Sequence, residues 1–182
     1  MAETMTTTLR VFAACLHHYA SGALVGIWAD ADEAETITLA DVHRGQLPVE
    51  PGCGEIWCLD LDGFPDGVGE MGLMEAQAWG DAYDELEPHL WPMLNAWVES
   101  GAYVACGNGS VPVVSDAVDR FRGQWDSFRE YAEELADDIG LLAGADEAVA
   151  RYFDWDAWTR DLAFDHTVMP AADGGVFVFD NL

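Results

Sequence analysis

The chain has 182 residues, 51% of them hydrophobic and 12% aromatic, with thirty-four carboxylates, seven arginines, no lysine and a formal net charge of −27. That apolar content suffices for a sizeable core, and the aromatic content excludes an acidic disordered chain. Repulsion from phosphates excludes direct binding to DNA, RNA or anionic lipid, whereas basic surfaces would be attracted, less so as salt rises. The acid is spread over folded sequence rather than gathered in a tail. Residues 1–60 hold nine acids and two arginines, residues 61–120 eleven and one, and residues 121–182 fourteen and four.

The first residues, MAETMTTTLR, show no basic start followed by an apolar stretch, and no run of eighteen apolar residues occurs. A cytoplasmic chain, neither secreted nor membrane-spanning, is expected. RVFAACLHH (10–18) and LVGIWAD (24–30) predict two strands joined through YASGA as a hairpin, and EIWCLDLD (55–62) alternates as a third strand. The breaker-rich GFPDGVG (63–69) marks a boundary. MEAQAWGDAYDELE (74–87) and PHLWPMLNAWVES (88–100) predict helices, the second with Pro88 at its start, and GNGSVP (107–112) is the next break. Asn108-Gly-Ser110 fits a glycosylation sequon, which carries little weight without an export signal. ADEAVARYF (145–153) and DAWTRDLAF (156–164) predict further helical pieces, and HTVMPAADGGVFVF closes as a hairpin turning at Asp173-Gly174-Gly175. The expected fold class is α+β: a β-rich domain over 1–70, a helical domain over 71–117 and an α+β domain over 118–182.

WDSFREYAEELADDIG (125–140) is the most informative stretch. Phe128, Tyr131, Leu135 and Ile139 fall on one helical stripe, Ser127 and Glu130 form a capping box, and Gly140 supplies a stop. The outer face carries Asp126, Glu130, Glu133, Glu134, Asp137 and Asp138, with Arg129 at its edge. Like charges three or four residues apart cost roughly 0.2–0.5 kcal/mol per pair, so this face costs its helix about 1–3 kcal/mol. Asp137 and Asp138 also stand at the negative end of the helix dipole.

Other chemistry has weaker signals. DLDGFPDG (60–67) invites a calcium reading, but an EF-hand loop starting at Asp60 would need ligands where Phe64 and Met71 stand and glycine where Pro65 stands. A turn after an edge strand is the expectation. His17 and His18, as neighbours on a strand, would point to opposite faces and not converge on one ion. Cys15, Cys53, Cys58 and Cys106 have no C-x-x-C spacing, so reduced thiols are expected. No zinc, phosphate-loop or nucleophile-elbow pattern occurs, so no metal, cofactor or catalytic residue is expected. The eight tryptophans are expected in the core and between helices.

Magnitudes favour a sharper reading than solubility. Duplex DNA carries one charge per ~1.7 Å of axis, so 27 charges correspond to ~46 Å. A compact chain of this length has a diameter of about 40 Å. The charge per unit length is close to that of DNA, as if the outer carboxylates stood where phosphates stand.

Three stretches then carry a family resemblance. RVFAACLHHYASGALVGIWADADE (10–33) resembles the opening of ArdA-type antirestriction proteins. LLAGADEAVARYFD (141–154) resembles their short antirestriction motif, and FDWDAWTRDLAF (153–164) their F-D-Y-x-x-x-x-R-D-L signature. The resemblance implies an elongated, curved molecule of three small domains, a two-fold dimer, and an acidic surface imitating bent B-form DNA. Such a protein occupies the DNA-binding groove of type I restriction–modification enzymes, at their methyltransferase core, and protects mobile elements or phage DNA without catalysis. Phosphate contacts position without reading sequence, so the binding energy should be spread over many acids. The expected partner-binding set is Asp81, Asp84, Glu85 and Glu87 on the central helices with the six acids of 126–138. In the motif, Leu141, Leu142, Val149, Tyr152 and Phe153 suit packing or a dimer interface better than contact with the enzyme. Asp146 and Glu147 suit helix capping, with Asp154 closing the motif. The alternatives are a mimic of DNA aimed at another basic DNA-binding protein, an acid-rich metal-dependent hydrolase, and a housekeeping protein adapted to salt.

Overall fold

A computed structural model describes residues 8–107 and 109–181; Asn108 of the sequon and the first seven residues of the N-terminal stretch lie outside the described residues. The β-branched and aromatic alternation of the N-terminal third builds a four-stranded antiparallel sheet. Strand β1 (Arg10–Cys15) buries Val11, Ala13, Ala14 and Cys15. The expected continuation of this strand to His18 is replaced by a short helix, α1 (Leu16–Ala20). Its end closes in a Schellman arrangement, with Ala23 N–H donating to the His18 carbonyl and Gly22 N–H to that of Tyr19. The two histidines are therefore helical neighbours about 100° apart, not strand neighbours on opposite faces.

β2 (Gly26–Asp30) pairs with β1 from Arg10↔Asp30 to Ala14↔Gly26. A 3-10 turn (Ala31–Thr36) follows, then α2 (Leu39–His43), opened by a capping box in which Thr38 and Asp41 satisfy each other's backbone N–H. β3 (Ile56–Asp62) lies between β1 and the two-residue β4 (Met71–Gly72), giving the order β2-β1-β3-β4. The strand before GFPDGVG is thus interior, not the edge that the turn reading assumed. α3 (Leu73–Asp84) buries Ala76, Trp79, Ala82 and Tyr83, with Trp79 against Phe64 and Tyr83. Gly80 is required there, because a Cβ would sit 2.6 Å from Asp32 Cα. The close approach is held by Gln77, which donates to the Asp32 carbonyl and accepts from Glu35 N–H.

A 3-10 turn (Pro88–Leu90), with Pro88 at its start as expected, leads into α4 (Trp91–Glu99). An isolated bridge joins Ala105 to Pro112, and Ser110 ties this loop to α3 by donating from N–H and hydroxyl to Glu75 Oε1 at 2.8 and 2.7 Å. α5 (Val114–Arg120) and β5 (Phe121–Trp125) follow. α6 (Phe128–Asp138) stops at Gly140, whose φ of +66° is the left-handed turn expected there. α7 (Glu147–Arg151), α8 (Trp155–Leu162) and a 3-10 turn (Ala163–Asp165) precede the closing hairpin of β6 (His166–Pro170) and β7 (Val176–Asp180). β7 is central in a three-stranded antiparallel sheet of order β5-β7-β6. Helices combined with two antiparallel sheets make this an α+β fold.

Contacts divide the chain into two compact units, Met1–Trp91 with Val104–Val114, and Pro92–Tyr103 with Ser115–Leu182. The first buries Val11, Ala13, Cys15, Val25, Val42, Cys58, Met71 and Trp79. The second buries Leu94, Trp97, Tyr131, Ala132, Ala136 and Phe177–Phe179, with the rings of Trp97 and Phe179 4.9 Å apart. Trp79 and Trp97 are the fully buried tryptophans, while Trp28 is exposed beneath Arg10.

Candidate partner-binding surface

α6 sets its acids outward because Tyr131, Ala132 and Ala136 are buried, with Phe128 and Leu135 half-buried beside them. Ile139, expected on this stripe, is 58% exposed: it caps the helix beyond the last packed turn. Tyr131 anchors the helix, its hydroxyl 2.9 Å from His166 Nε2. His166 Nδ1 faces the Leu162 carbonyl at 2.9 Å, which can only accept, so Nδ1 carries the proton and Nε2 accepts from Tyr131. Burial, and then the charge of Asp180, push the Tyr131 hydroxyl above its usual range, so it remains a donor.

Of the acids on this stretch, Asp126, Glu134, Asp137 and Asp138 are exposed, and their carboxylates have no hydrogen bond or ion pair among the described residues. Two others have local work. Ser127 accepts from Glu130 N–H as the capping box requires, but the Glu130 carboxylate reaches back to Asp126 N–H (2.9 Å) rather than to Ser127. Glu133 is half-buried and paired with Arg129 at 2.6 Å. Arg129 also takes Asp156 of α8, and hydrogen bonds to Glu133 and Asp156 raise its pKa further.

In the first unit, Asp81, Asp84, Glu85 and Glu87 are all exposed around the end of α3. Asp84 and Glu85 are unpartnered among the described residues, Asp81 accepts from Gln77 at 2.9 Å, and Glu87 lies 3.3 Å from His89.

Each of the seven arginines is paired with a carboxylate. The pairs are Arg10–Asp30, Arg44–Asp41, Arg120–Asp116, Arg122–Asp180, Arg129 with Glu133 and Asp156, Arg151–Glu147, and Arg160–Asp161. No arginine is left over to answer the unpartnered acids. Sequence reasoning located the acids but not which of them are already occupied.

The 141–154 stretch divides into capping and exposed apolar groups. Asp146 caps α7 by accepting from Ala148 N–H, and Asp154 caps α8 by accepting from Ala157 N–H, each at 2.9 Å. Glu147 pairs with Arg151 within α7. Neither α7 nor α8 contains a buried residue. Val149 is 62% and Tyr152 85% exposed, Leu141 is exposed, and Leu142 and Phe153 are half-buried. α8 is held on α6 by Trp158 Nε1, which donates to the Ala132 carbonyl at 2.9 Å.

An open cleft of about 400 Å³ in the second unit is lined by Tyr131, Glu134, Asp138 and His166 with Arg122 and Asp180. His166 has both ring nitrogens engaged, and Arg122 is locked on Asp180. The cleft therefore presents Glu134 and Asp138 beside an imidazole and a guanidinium that are both engaged. Among the described residues, no helix is long and apolar enough to cross a membrane.

A search of curated proteins finds no match to the chain. A family model described as antirestriction protein (ArdA) matches residues 11–177, spanning the first sheet, α6, the 141–154 motif and most of the closing hairpin. With nearly its whole length matched, the chain belongs to the ArdA family of antirestriction proteins.

Proposed function

We propose that this protein is a DNA-mimic inhibitor that occupies the DNA-binding groove of type I restriction–modification enzymes at their methyltransferase core. The observation that carries the reading is a set of unpartnered carboxylates on rigid helices in a chain whose arginines are all spoken for. On α6, five acids and one arginine fall within ten residues, so the net charge is −4 over ~14 Å at 1.5 Å per residue. That is one charge per ~3.4 Å, the same as the ~3.4 Å per charge along a single strand of B-form DNA. The partner-binding set under this reading is Asp81, Asp84, Glu85 and Glu87 with Asp126, Glu130, Glu133, Glu134, Asp137 and Asp138. Glu130 and Glu133 serve both the helix and the partner. No turnover is involved.

The proposal includes a homodimer. Leu141, Val149 and Tyr152, exposed with Ile139, are apolar side chains gathered in one stretch of sequence, and a second copy would cover them. A dimer carries −54, the charge of roughly 27 base pairs of duplex. The three-part organisation, 1–70, 71–117 and 118–182, and a place in the cytoplasm of a cell receiving a mobile element also belong to this reading.

Unmodified phage plated on a host with an active type I system tests it. Expression of this gene should restore plaques to near the level on a restriction-deficient host. Purified protein should block DNA binding by the methyltransferase core, less strongly at higher salt. Restriction undiminished at high expression would reject the reading. Inhibition of a different basic DNA-binding protein, with the type I enzyme untouched, would move the mimic to another target.

A further inference from the structure

Four residues far apart in sequence meet in the core of the first unit. Cys15 closes β1, His18 lies on α1, His43 ends α2, and Cys53 lies in the turn before β3. One donor atom from each falls within 4.8 Å of all the others. His18 Nδ1 is 3.5 Å from Cys15 Sγ and 3.4 Å from Cys53 Sγ. A tetrahedral ion with metal–sulfur bonds near 2.3 Å and metal–nitrogen bonds near 2.05 Å places sulfur and nitrogen ~3.6 Å apart. These two separations match that spacing, and the remaining pairs of donor atoms lie within 4.8 Å.

The histidine nitrogens explain themselves in the same way. His43 Nδ1 is 2.8 Å from the Leu47 carbonyl, which can only accept, so the proton is on Nδ1 and the lone pair on Nε2. His43 Nε2 is buried and without a hydrogen-bond partner. His18 has the complementary arrangement: Nδ1 faces the two sulfurs, and the buried Nε2 lies 4.0 Å from Glu50 Oε1. A backbone carbonyl behind one imidazole and a carboxylate behind the other is the outer shell that metal-bound histidines commonly have. An orphaned polar atom in a core is costly. An ion among Val25, Val42, Ile27 and Ile56 would answer the unpartnered His43 Nε2.

We propose that Cys15, His18, His43 and Cys53 form a closed tetrahedral site for a structural Zn²⁺. Two sulfurs and two imidazole nitrogens select zinc over the hard cations, and four protein ligands leave no open position for a reacting water. The ligand atoms are Sγ of each cysteine, Nδ1 of His18 and Nε2 of His43. Two thiolates and one Zn²⁺ cancel, so the ion secures the sheet, α1 and α2 without offsetting the net charge of −27.

The test uses full-length protein without a histidine tag, produced with zinc in the medium and handled under reducing conditions. Native mass spectrometry should show one zinc per chain, and a chelator should lower the melting temperature. Replacement by Co²⁺ should give the visible bands of a tetrahedral ion with sulfur-to-cobalt charge transfer. Cys53→Ala, on a half-buried loop, should abolish the charge-transfer band of its own sulfur and weaken retention at least tenfold, whereas exposed Cys106→Ala should change nothing. Wild-type protein that retains no stoichiometric Zn²⁺ or Co²⁺ would overturn the proposal, even if Cys53→Ala failed to fold. A Cys15–Cys53 disulfide in freshly isolated protein, or equal loss from Cys53→Ala and Cys106→Ala, would also overturn it.

Discussion

The two units hold the same number of carboxylates, seventeen each, but use arginine differently. The first has Arg10 and Arg44, for a net −15; the second has Arg120, Arg122, Arg129, Arg151 and Arg160, for a net −12. In the second unit three of these brace elements against each other. Arg122 joins β5 to β7 through Asp180, Arg129 joins α6 to α8 through Asp156, and Arg120 reaches from α5 to the Asn181 carbonyl at 2.8 Å. The Arg129 brace lies where burial is thin, since α7 and α8 contain no buried residue, whereas β7, which Arg122 reaches, buries Phe177, Val178 and Phe179. The first unit buries much of its sheet and of α3, and among its described acids only Asp30 and Asp41 pair with arginine. Arginine thus ties α8 to α6, where apolar burial is least, and is scarce in the first unit. What remains unpaired is surface charge available to a partner.

The largest effect should come from removing charge that has no local role. Asp126→Asn, Glu134→Gln, Asp137→Asn and Asp138→Asn together spare the Glu130 cap and the Arg129 bridge. An exposed ionic contact contributes roughly 0.2–1 kcal/mol, so losing four from each copy should weaken inhibition on the order of 10²-fold or more. The melting temperature at low salt should rise, because like-charge repulsion on the helix is relieved. Any one of the four alone should change inhibition by less than about fivefold. A single substitution that abolished activity would point to a discrete site and away from a distributed surface.

The apolar group of the second unit comes next. Val149→Glu with Tyr152→Glu should convert a dimer to monomers in sedimentation experiments, with inhibition falling on the order of tenfold as each monomer presents half the acid. Buried aromatic anchors of interfaces commonly cost about 2 kcal/mol or more when removed. The salt response separates the two surfaces: the α6 contact should weaken as salt rises, whereas apolar self-association should persist. A wild-type chain that is monomeric at all concentrations would remove the dimer from the proposed function and leave the α6 prediction standing.

Much of this was legible in the sequence where a period or a turn residue dominates. The alternation of EIWCLDLD, the Asp-Gly-Gly turn of the closing hairpin and the outward acids of α6 all follow from local geometry. What was not legible depends on contacts distant in sequence. RVFAACLHH reads as one strand because Leu16–His18 continue an apolar run, and only the Schellman closure at Gly22 bends them into α1. β5 was missed because FRGQW is too short, with Gly123 in its middle, to signal a strand on its own. The metal-type cluster has two, twenty-four and nine residues between successive members, a spacing that matches no local pattern and is brought together by the sheet and α2. For the acids, periodicity gives direction but not occupancy: Glu130 and Glu133 look like Glu134 in sequence until their partners are known.

The smallest effect concerns an acid of the first unit that serves its own fold. Asp41 accepts from Thr38 N–H and hydroxyl and pairs with Arg44, and the Thr38 hydroxyl, then its N–H, hold the carboxyl below its ordinary 3.8. A carboxyl depressed in the folded state binds protons more readily when unfolded, so its contribution is complete above the unfolded value and is lost as pH falls through the folded one. Asp41→Asn should therefore lower the melting temperature by a few degrees at pH 6, and the gap from wild type should narrow as pH drops below about 4. Thr38→Ala, which removes the hydroxyl of the cap, should cost about 1 kcal/mol at neutral pH. Neither change should alter inhibition below the melting temperature, because Asp41 is already committed to Thr38 and Arg44. Inhibition that fell with Asp41→Asn as steeply as with the four-acid variant would mean that committed and displayed carboxylates are equivalent to the partner, and the distinction between the units would fail at its most local point.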